Sequence, residues 1–160
     1  MKMRIGVLSD THLQRVSREL EEIFEKYLSD KDLVLHAGDI VSTEIVDFLC
    51  QRDLQAVYGN MDPPEVRSVL PARTVMELGP YRVGLTHGGG SNKGLEARVR
   101  SEFRGVDVIV YGHSHIPVNH VKEGVLLFNP GTATGFSFSG IHTLGILELN
   151  DGVHGEIIRV

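Results

Sequence analysis

The chain has 160 residues, enough for one domain with a core that needs neither disulfides nor structural metals. At 41% hydrophobic, 23% charged and a net charge of −5, it has an ordinary globular composition and lacks the basic surface of a general nucleic-acid binder. Cys50 is the sole cysteine, which excludes an intramolecular disulfide framework, and no apolar stretch approaches the ~18–20 residues of a membrane span.

Met1-Lys2-Met3-Arg4 is basic, but the apolar run behind it is short and ends at Ser9-Asp10. It reads as a first strand, Arg4–Leu8, and not as a signal peptide, so the expected compartment is the cytoplasm. Ser17 can cap a helix whose Leu20, Ile23, Phe24, Tyr27 and Leu28 form one apolar stripe, with Glu19, Glu21 and Glu22 favouring its first turn. Leu33–Leu35 is the second strand. Ser42 can cap a second helix with Ile45, Val46, Leu49 and Cys50 facing inward, which makes Cys50 an inert core thiol. A third strand lies near Gln55–Tyr58, and the unit so far is β-α-β-α-β with right-handed crossovers.

Gly59–Pro71 carries three of the six prolines and reads as a loop. Thr74–Leu78 and Arg82–Thr86 flank Gly79-Pro80 and should form a hairpin. Ser91 or Asn92 can cap a helix running to about Phe103, with Leu95, Val99 and Phe103 on one face. Val106–Tyr111 is almost wholly apolar, as a central strand buried on both faces would be. Short strands then follow at Val118–Val121, Val125–Phe128, Thr143–Leu149 and Val153–Val160, the last two joined by the hairpin signal Asn150-Asp151-Gly152. No repeat or linker interrupts the chain. The pattern implies an α/β fold in which residues 1–160 form a single domain of two packed, mixed sheets with helices outside.

Five polar clusters each follow one of the strand-like runs: Asp10-Thr11-His12, Gly38-Asp39, Gly59-Asn60, Thr86-His87-Gly88 and Gly112-His113-Ser114-His115. In an open, mostly parallel sheet, residues just past the carboxyl ends of strands converge on one crevice. Taken singly the clusters are weak: Gly-Asp and Gly-Asn are ordinary turns, and His87 could be a structural histidine before a flexible glycine run. Gly112-His113-Ser114-His115 is the most specific, because two imidazoles in an extended loop have no evident packing role. The joint occurrence carries the argument. It brings seven ligand-type side chains (Asp10, His12, Asp39, Asn60, His87, His113 and His115) to one rim. Seven ligands suit two ions sharing a bridging carboxylate better than one tetrahedral ion. Mixed imidazole, carboxylate and amide donors point to Mn, Fe, Zn, Co or Ni, and away from Ca or Mg alone. Two divalent cations would bring the net charge of −5 close to zero, so charge leaves a nucleotide or phosphodiester substrate open.

Asp10-x-His12, Gly38-Asp39, Gly59-Asn60-x-Asp62, Gly-rich His87 and Gly112-His113-x-His115, in this order, resemble the motifs of the calcineurin-like metallophosphoesterases. The short length, Gly59-Asn60-Met61-Asp62 and Asn129-Pro130-Gly131-Thr132 are most similar to the small bacterial and archaeal phosphodiesterase branch, which also contains the retromer subunit Vps29. The resemblance implies a four-layer α/β/β/α sandwich and a phosphodiesterase using two divalent metals. By motif, Asp10, His12, Asp39 and His115 would hold one ion, and Asp39, Asn60, His87 and His113 the other, with Asp39 bridging. It further implies in-line attack by a metal-bound hydroxide without a covalent enzyme intermediate, with Asn60 and His87 orienting the phosphate. Many members carry a histidine, thought to protonate the leaving group, where this chain has Met61. A preference for good leaving groups follows.

Asp62, Gly131 and Thr132 are further candidates for substrate contact; for Asp62 the alternative is accepting a hydrogen bond from a backbone group, and for Asn129–Gly135 a tight turn leaving a strand. His36, close to Asp39, is a candidate support for the ligands. Phe136 and Phe138, in a Gly-flanked loop, are expected to insert into the core, with a substrate wall or an oligomer interface as alternatives. Lys93, Arg98, Arg100 and Arg104 read as a solvated helix face. His120, His142 and His154 match no motif. The expected partner is a small phosphodiester or nucleotide-type substrate, with no membrane and no general nucleic-acid binding; a homo-oligomer is left open. A catalytically silent, Vps29-like interaction scaffold is the competing reading.

Overall fold

The computed structural model describes residues 1–160. Ten strands form two five-stranded sheets. The first contains β1 (Met3–Leu8), β2 (Leu33–His36), β3 (Leu54–Ala56), β9 (Thr143–Leu149) and β10 (Val153–Arg159), in the order β10-β9-β1-β2-β3. The second contains β4 (Arg73–Leu78), β5 (Tyr81–Thr86), β6 (Val108–Val110), β7 (Val118–Lys122) and β8 (Val125–Asn129), in the order β4-β5-β6-β8-β7. In the first sheet β1, β2 and β3 run parallel, with β3 as one edge and the antiparallel pairs β1–β9 and β9–β10 on the other side; in the second, β5, β6 and β8 run parallel between the antiparallel edge strands β4 and β7.

Period-two alternation sets the layers. Ile5, Val7, Leu33 and Leu35 of the first sheet meet Val83, Leu85, Val108, Val110 and Phe128 of the second in the core between the sheets. The alternate residues Leu8 and Val34 face outward, onto α1 (Arg18–Ile23) and α2 (Thr43–Leu49). On the far side, Ile109 and Leu127 pack under Leu95 and Val99 of α4 (Leu95–Ser101). The result is helix, sheet, sheet, helix, a two-sheet α/β architecture as expected.

Helix starts follow the capping chemistry in two of three cases. Ser17 Oγ accepts the Leu20 N–H and Ser42 Oγ accepts the Glu44 N–H. At α4 neither Ser91 nor Asn92 is the cap: that position is Gly94, in the left-handed region at φ 79°, where a side chain would be strained. α1 continues as a wider π-helical turn over Phe24–Leu28, which keeps Phe24 and Leu28 buried. The expected loop at 59–71 contains a short helix, α3 (Pro64–Arg67), opened by a proline at its first position.

Two apolar assignments are corrected. Cys50 ends α2 and is exposed, because the helix turns its buried face through Ile45, Val46 and Leu49 and stops before another inward position. Phe136 and Phe138 stand 67% and 68% exposed and contact each other edge to face, 5.1 Å between ring centres. Their loop closes on itself through Ser137 and Ser139, and so holds both rings away from the core.

Candidate metal centre

The parallel strands β1, β2, β3, β5 and β6 all deliver their carboxyl ends to one rim, and the seven ligand-type residues lie in the loops just past them. Asp10, His12, Asp39, His113 and His115 all have positive φ, between 49° and 73°. Left-handed backbone costs a non-glycine residue about 1 kcal/mol or more. Five such residues in one centre mean that the surrounding fold holds these loops against their local preference. Gly38 and Gly59 allow the closest approach, since a Cβ at either would come within 2.7 Å of the His87 ring.

Each carboxylate divides its oxygens between the protein and the centre. Asp10 Oδ2 accepts the Ser9 hydroxyl at 2.5 Å and the His113 N–H at 3.0 Å. Its Oδ1 is buried, accepts nothing, and faces Nε2 of His115 at 3.3 Å and of His12 and His87 at 3.8 Å each. Asp39 Oδ1 accepts the Met61 N–H at 2.8 Å, while Oδ2 lies 3.5 Å from His12 Nε2 and 3.2 Å from His87 Nε2. Asn60 Oδ1 completes the ring of acceptors, 3.0 Å from His87 Nε2 and 3.1 Å from His113 Nδ1.

Three imidazoles are oriented from behind by backbone carbonyls. His87 Nδ1–H donates to Ala37 O at 2.7 Å, His115 Nδ1–H to Phe136 O at 2.5 Å and His113 Nε2–H to Gly90 O at 2.7 Å. In the neutral ring the opposite nitrogen then carries a lone pair, directed in each case at the shared carboxylates or Asn60. A carbonyl fixing the tautomer of a ligating histidine is a common feature of metal sites. His12 Nε2 is buried with no hydrogen-bond partner. Acceptors thus converge on acceptors, an arrangement that needs positive charge between them.

The titration tendencies agree. Burial pushes Asp10 upward, but His115, His12 and His87 outweigh it and hold the carboxyl well below the usual range. Burial likewise opposes ionisation of Asp39, and His87 beside it wins. Burial lowers the proton affinity of His87, but Asp39 and Asp10 raise it overall; Asp10 raises that of His115. The anionic cluster draws protons onto its histidines unless a cation takes their place. Two groups have the spacing of metal ligands, Asp10–His12–His115 and Asp10–Asp39–His87, and the donor set of imidazole and carboxylate fits a divalent transition ion.

Behind these residues lies a supporting layer that includes His36 and Asp62. The Asp62 carboxylate, 4% exposed, accepts the backbone N–H of Asp39 at 2.9 Å and of Gly59 and Val41 at 2.7 Å each. It ties the Asp39 loop to the Asn60 loop. Arg67 Nε donates to Asp62 O at 2.8 Å and its Nη2 to Asn60 O at 3.2 Å. His36, fully buried and pushed down to about 4 by burial, takes the Gly38 N–H on Nδ1, which leaves its Nε2–H for Thr11 Oγ1. Arg98 lies on the exposed helix face as expected, and from there it also donates to Gly89 O and Lys93 O and pins the glycine-rich loop after His87. Of the expected substrate contacts, Asp62, Gly131 and Thr132 all turn toward the protein instead. Gly131 N–H donates to Asn129 Oδ1, and Thr132 Oγ1 bridges Asp10 O and the Gly135 N–H.

Residues 3–152 match the model of the calcineurin-like phosphoesterase superfamily domain. The chain belongs to that superfamily. As a calcineurin-like phosphoesterase it is 37% identical over 138 residues to a protein of Methanocaldococcus jannaschii named a probable metallophosphoesterase, covering 82% of this chain and 69% of that one. Among solved structures, an archaeal phosphodiesterase is 28% identical with a TM-score of 0.75, covering 99% of this chain and all of the other. Vacuolar protein sorting 29 from Cryptosporidium parvum is 26% identical, also at TM-score 0.75, over 99% of this chain and 98% of its own. The calcineurin-like phosphoesterase membership places the centre among phosphoric ester hydrolases that use metals.

Proposed function

We propose that this chain is a dinuclear-metal phosphodiesterase acting on small phosphodiester or nucleotide-type substrates. The observation that carries the reading is the convergence of lone pairs at the rim, with Asp10 Oδ1 and His12 Nε2 buried and unpartnered. Asp10, His12, Asp39 and His115 would hold one ion; Asp39, Asn60, His87 and His113 the other. Asp39 Oδ2, within 3.5 Å of both His12 and His87, is the natural bridge. Manganese is the expected ion, with Fe, Zn, Co or Ni as alternatives. When bound, such ions lower the pKa of water, orient the phosphoryl group and neutralise developing charge.

The chain's own residues set the rest. Asn60 turns its Oδ1 toward His87 and His113, and its NH2 would be the group to donate to a phosphate oxygen. The rings of His87, His113 and His115 are already fixed by backbone carbonyls, so little reorganisation accompanies binding. No proton donor stands at position 61, because Met61 presents an exposed thioether. General-acid help is worth ~10²–10⁴-fold, so esters of acidic alcohols and phenols should turn over best.

Manganese-loaded protein should hydrolyse bis(4-nitrophenyl) phosphate, and excess chelator should abolish the activity. One observation favours a second reading, that of an interaction scaffold: the exposed Phe136–Phe138 pair next to the carbonyl that holds His115. Metal-loaded protein no more active than His87→Ala would favour the scaffold.

A further inference from the structure

Beside the metal centre lies an open cavity of about 520 Å³, the size of pockets that hold small organic ligands. His12 forms part of its wall, so it begins where the centre ends. Val41 and Met61 give it apolar surface, backed by the buried Val66, and Ser42 adds a polar group. Glu65 is the one acidic side chain in the wall; no lysine or arginine lines it. Met61 is anchored at its root, because its own N–H donates to Asp39 Oδ1, and its side chain is 60% exposed.

We propose that this cavity is the subsite for one organic substituent of the ester, and that it selects an uncharged substituent over an anionic one. The inference rests on the phosphodiesterase reading and deepens it. A phosphorus atom held at Asp10, Asp39 and the histidines places one ester arm against His12 and over Met61. An aromatic or nucleoside-like group there covers Val41 and Met61 and meets hydroxyl and carboxylate acceptors beside them. An arm ending in a carboxylate or second phosphate meets Glu65 with no cation to balance it. Substrates of diphosphate type are therefore disfavoured, and diesters with two neutral arms preferred.

Two readouts test this. The first is kcat/KM of the manganese-loaded enzyme on two 4-nitrophenyl diesters that differ only in a benzyl or a 4-carboxybenzyl arm. Wild type should prefer the benzyl ester, and Glu65→Lys should shift the ratio toward the carboxylate by about tenfold at low salt, less at high salt. The second needs no turnover. The ¹³C-labelled Met61 methyl signal, assigned with Met61→Leu, should move on titration with benzyl alcohol but not with 4-(hydroxymethyl)benzoate, and Glu65→Lys should let the benzoate move it. An active enzyme whose ratio ignores Glu65→Lys, or a methyl that ignores benzyl alcohol, overturns the subsite and leaves the phosphodiesterase intact. A methyl that responds as described in a protein inactive on both esters keeps the subsite and overturns the phosphodiesterase.

Discussion

Replacing Asp62 with alanine should weaken both the fold and the metal centre. The carboxylate is 4% exposed and accepts three backbone N–H groups, those of Asp39, Val41 and Gly59, at 2.7–2.9 Å. A hydrogen bond to a charged group contributes about 1.5–3 kcal/mol, so three would sum to about 4.5–9 kcal/mol if they were independent. They share one acceptor, and water can enter the space left by alanine, so about 3–5 kcal/mol is expected. With a urea slope of about 2 kcal/mol/M, the unfolding midpoint should fall by about 2 M. The positive φ of Asp39 and Val41 is held by the same contacts, so manganese affinity should drop about 10–100-fold as well. Urea unfolding of metal-free protein, paired with isothermal titration by manganese, reads both effects. A midpoint shift under 0.5 M together with unchanged affinity would refute the role given to Asp62.

Leaving-group dependence is the next expectation: aryl diesters should turn over far faster than alkyl diesters, and Met61→His should raise the alkyl rate by about tenfold or more, measured as kcat. The titration of His87 and His115 gives a pH prediction. Their folded proton affinities are raised, so in metal-free protein the stabilisation they give is complete below the unfolded value near 6.5 and is lost as pH rises through the folded values. Metal needs the same nitrogens unprotonated, so manganese affinity should climb over that window and the melting-temperature gap between loaded and metal-free protein should widen. A gap independent of pH would contradict it. Val41, β-branched at φ 62°, is strained. Val41→Asn, which suits the left-handed region, should stabilise metal-free protein by about 0.5–1 kcal/mol in urea unfolding.

Much of this centre is legible in the sequence because two simple periodicities cooperate. Apolar runs such as Val106–Tyr111 mark buried strands, and in a parallel sheet their carboxyl ends must share an edge, so the residues following each run converge. What stays hidden is whatever depends on backbone conformation or on partners distant in sequence. Gly59-Asn60-Met61-Asp62 allows Asp62 a backbone partner but does not say which: the amides of Asp39 and Val41 lie 23 and 21 residues away. The left-handed turns at Asp10, His12 and His115 carry no glycine to betray them. Cys50 and the Phe136–Phe138 pair fail differently: hydrophobicity predicts burial only where the chain turns the residue inward, and a helix that ends one residue early, or a loop closed by Ser137 and Ser139, does not.

The most direct test is the rate of bis(4-nitrophenyl) phosphate hydrolysis as manganese is added stepwise to metal-free protein. The rate should rise with metal and level off at about two equivalents per chain, and His87→Ala should stay near background throughout. Hydrolysis without metal, a plateau at one equivalent, or a His87→Ala curve that follows the parent would contradict a centre of two ions bridged by Asp39.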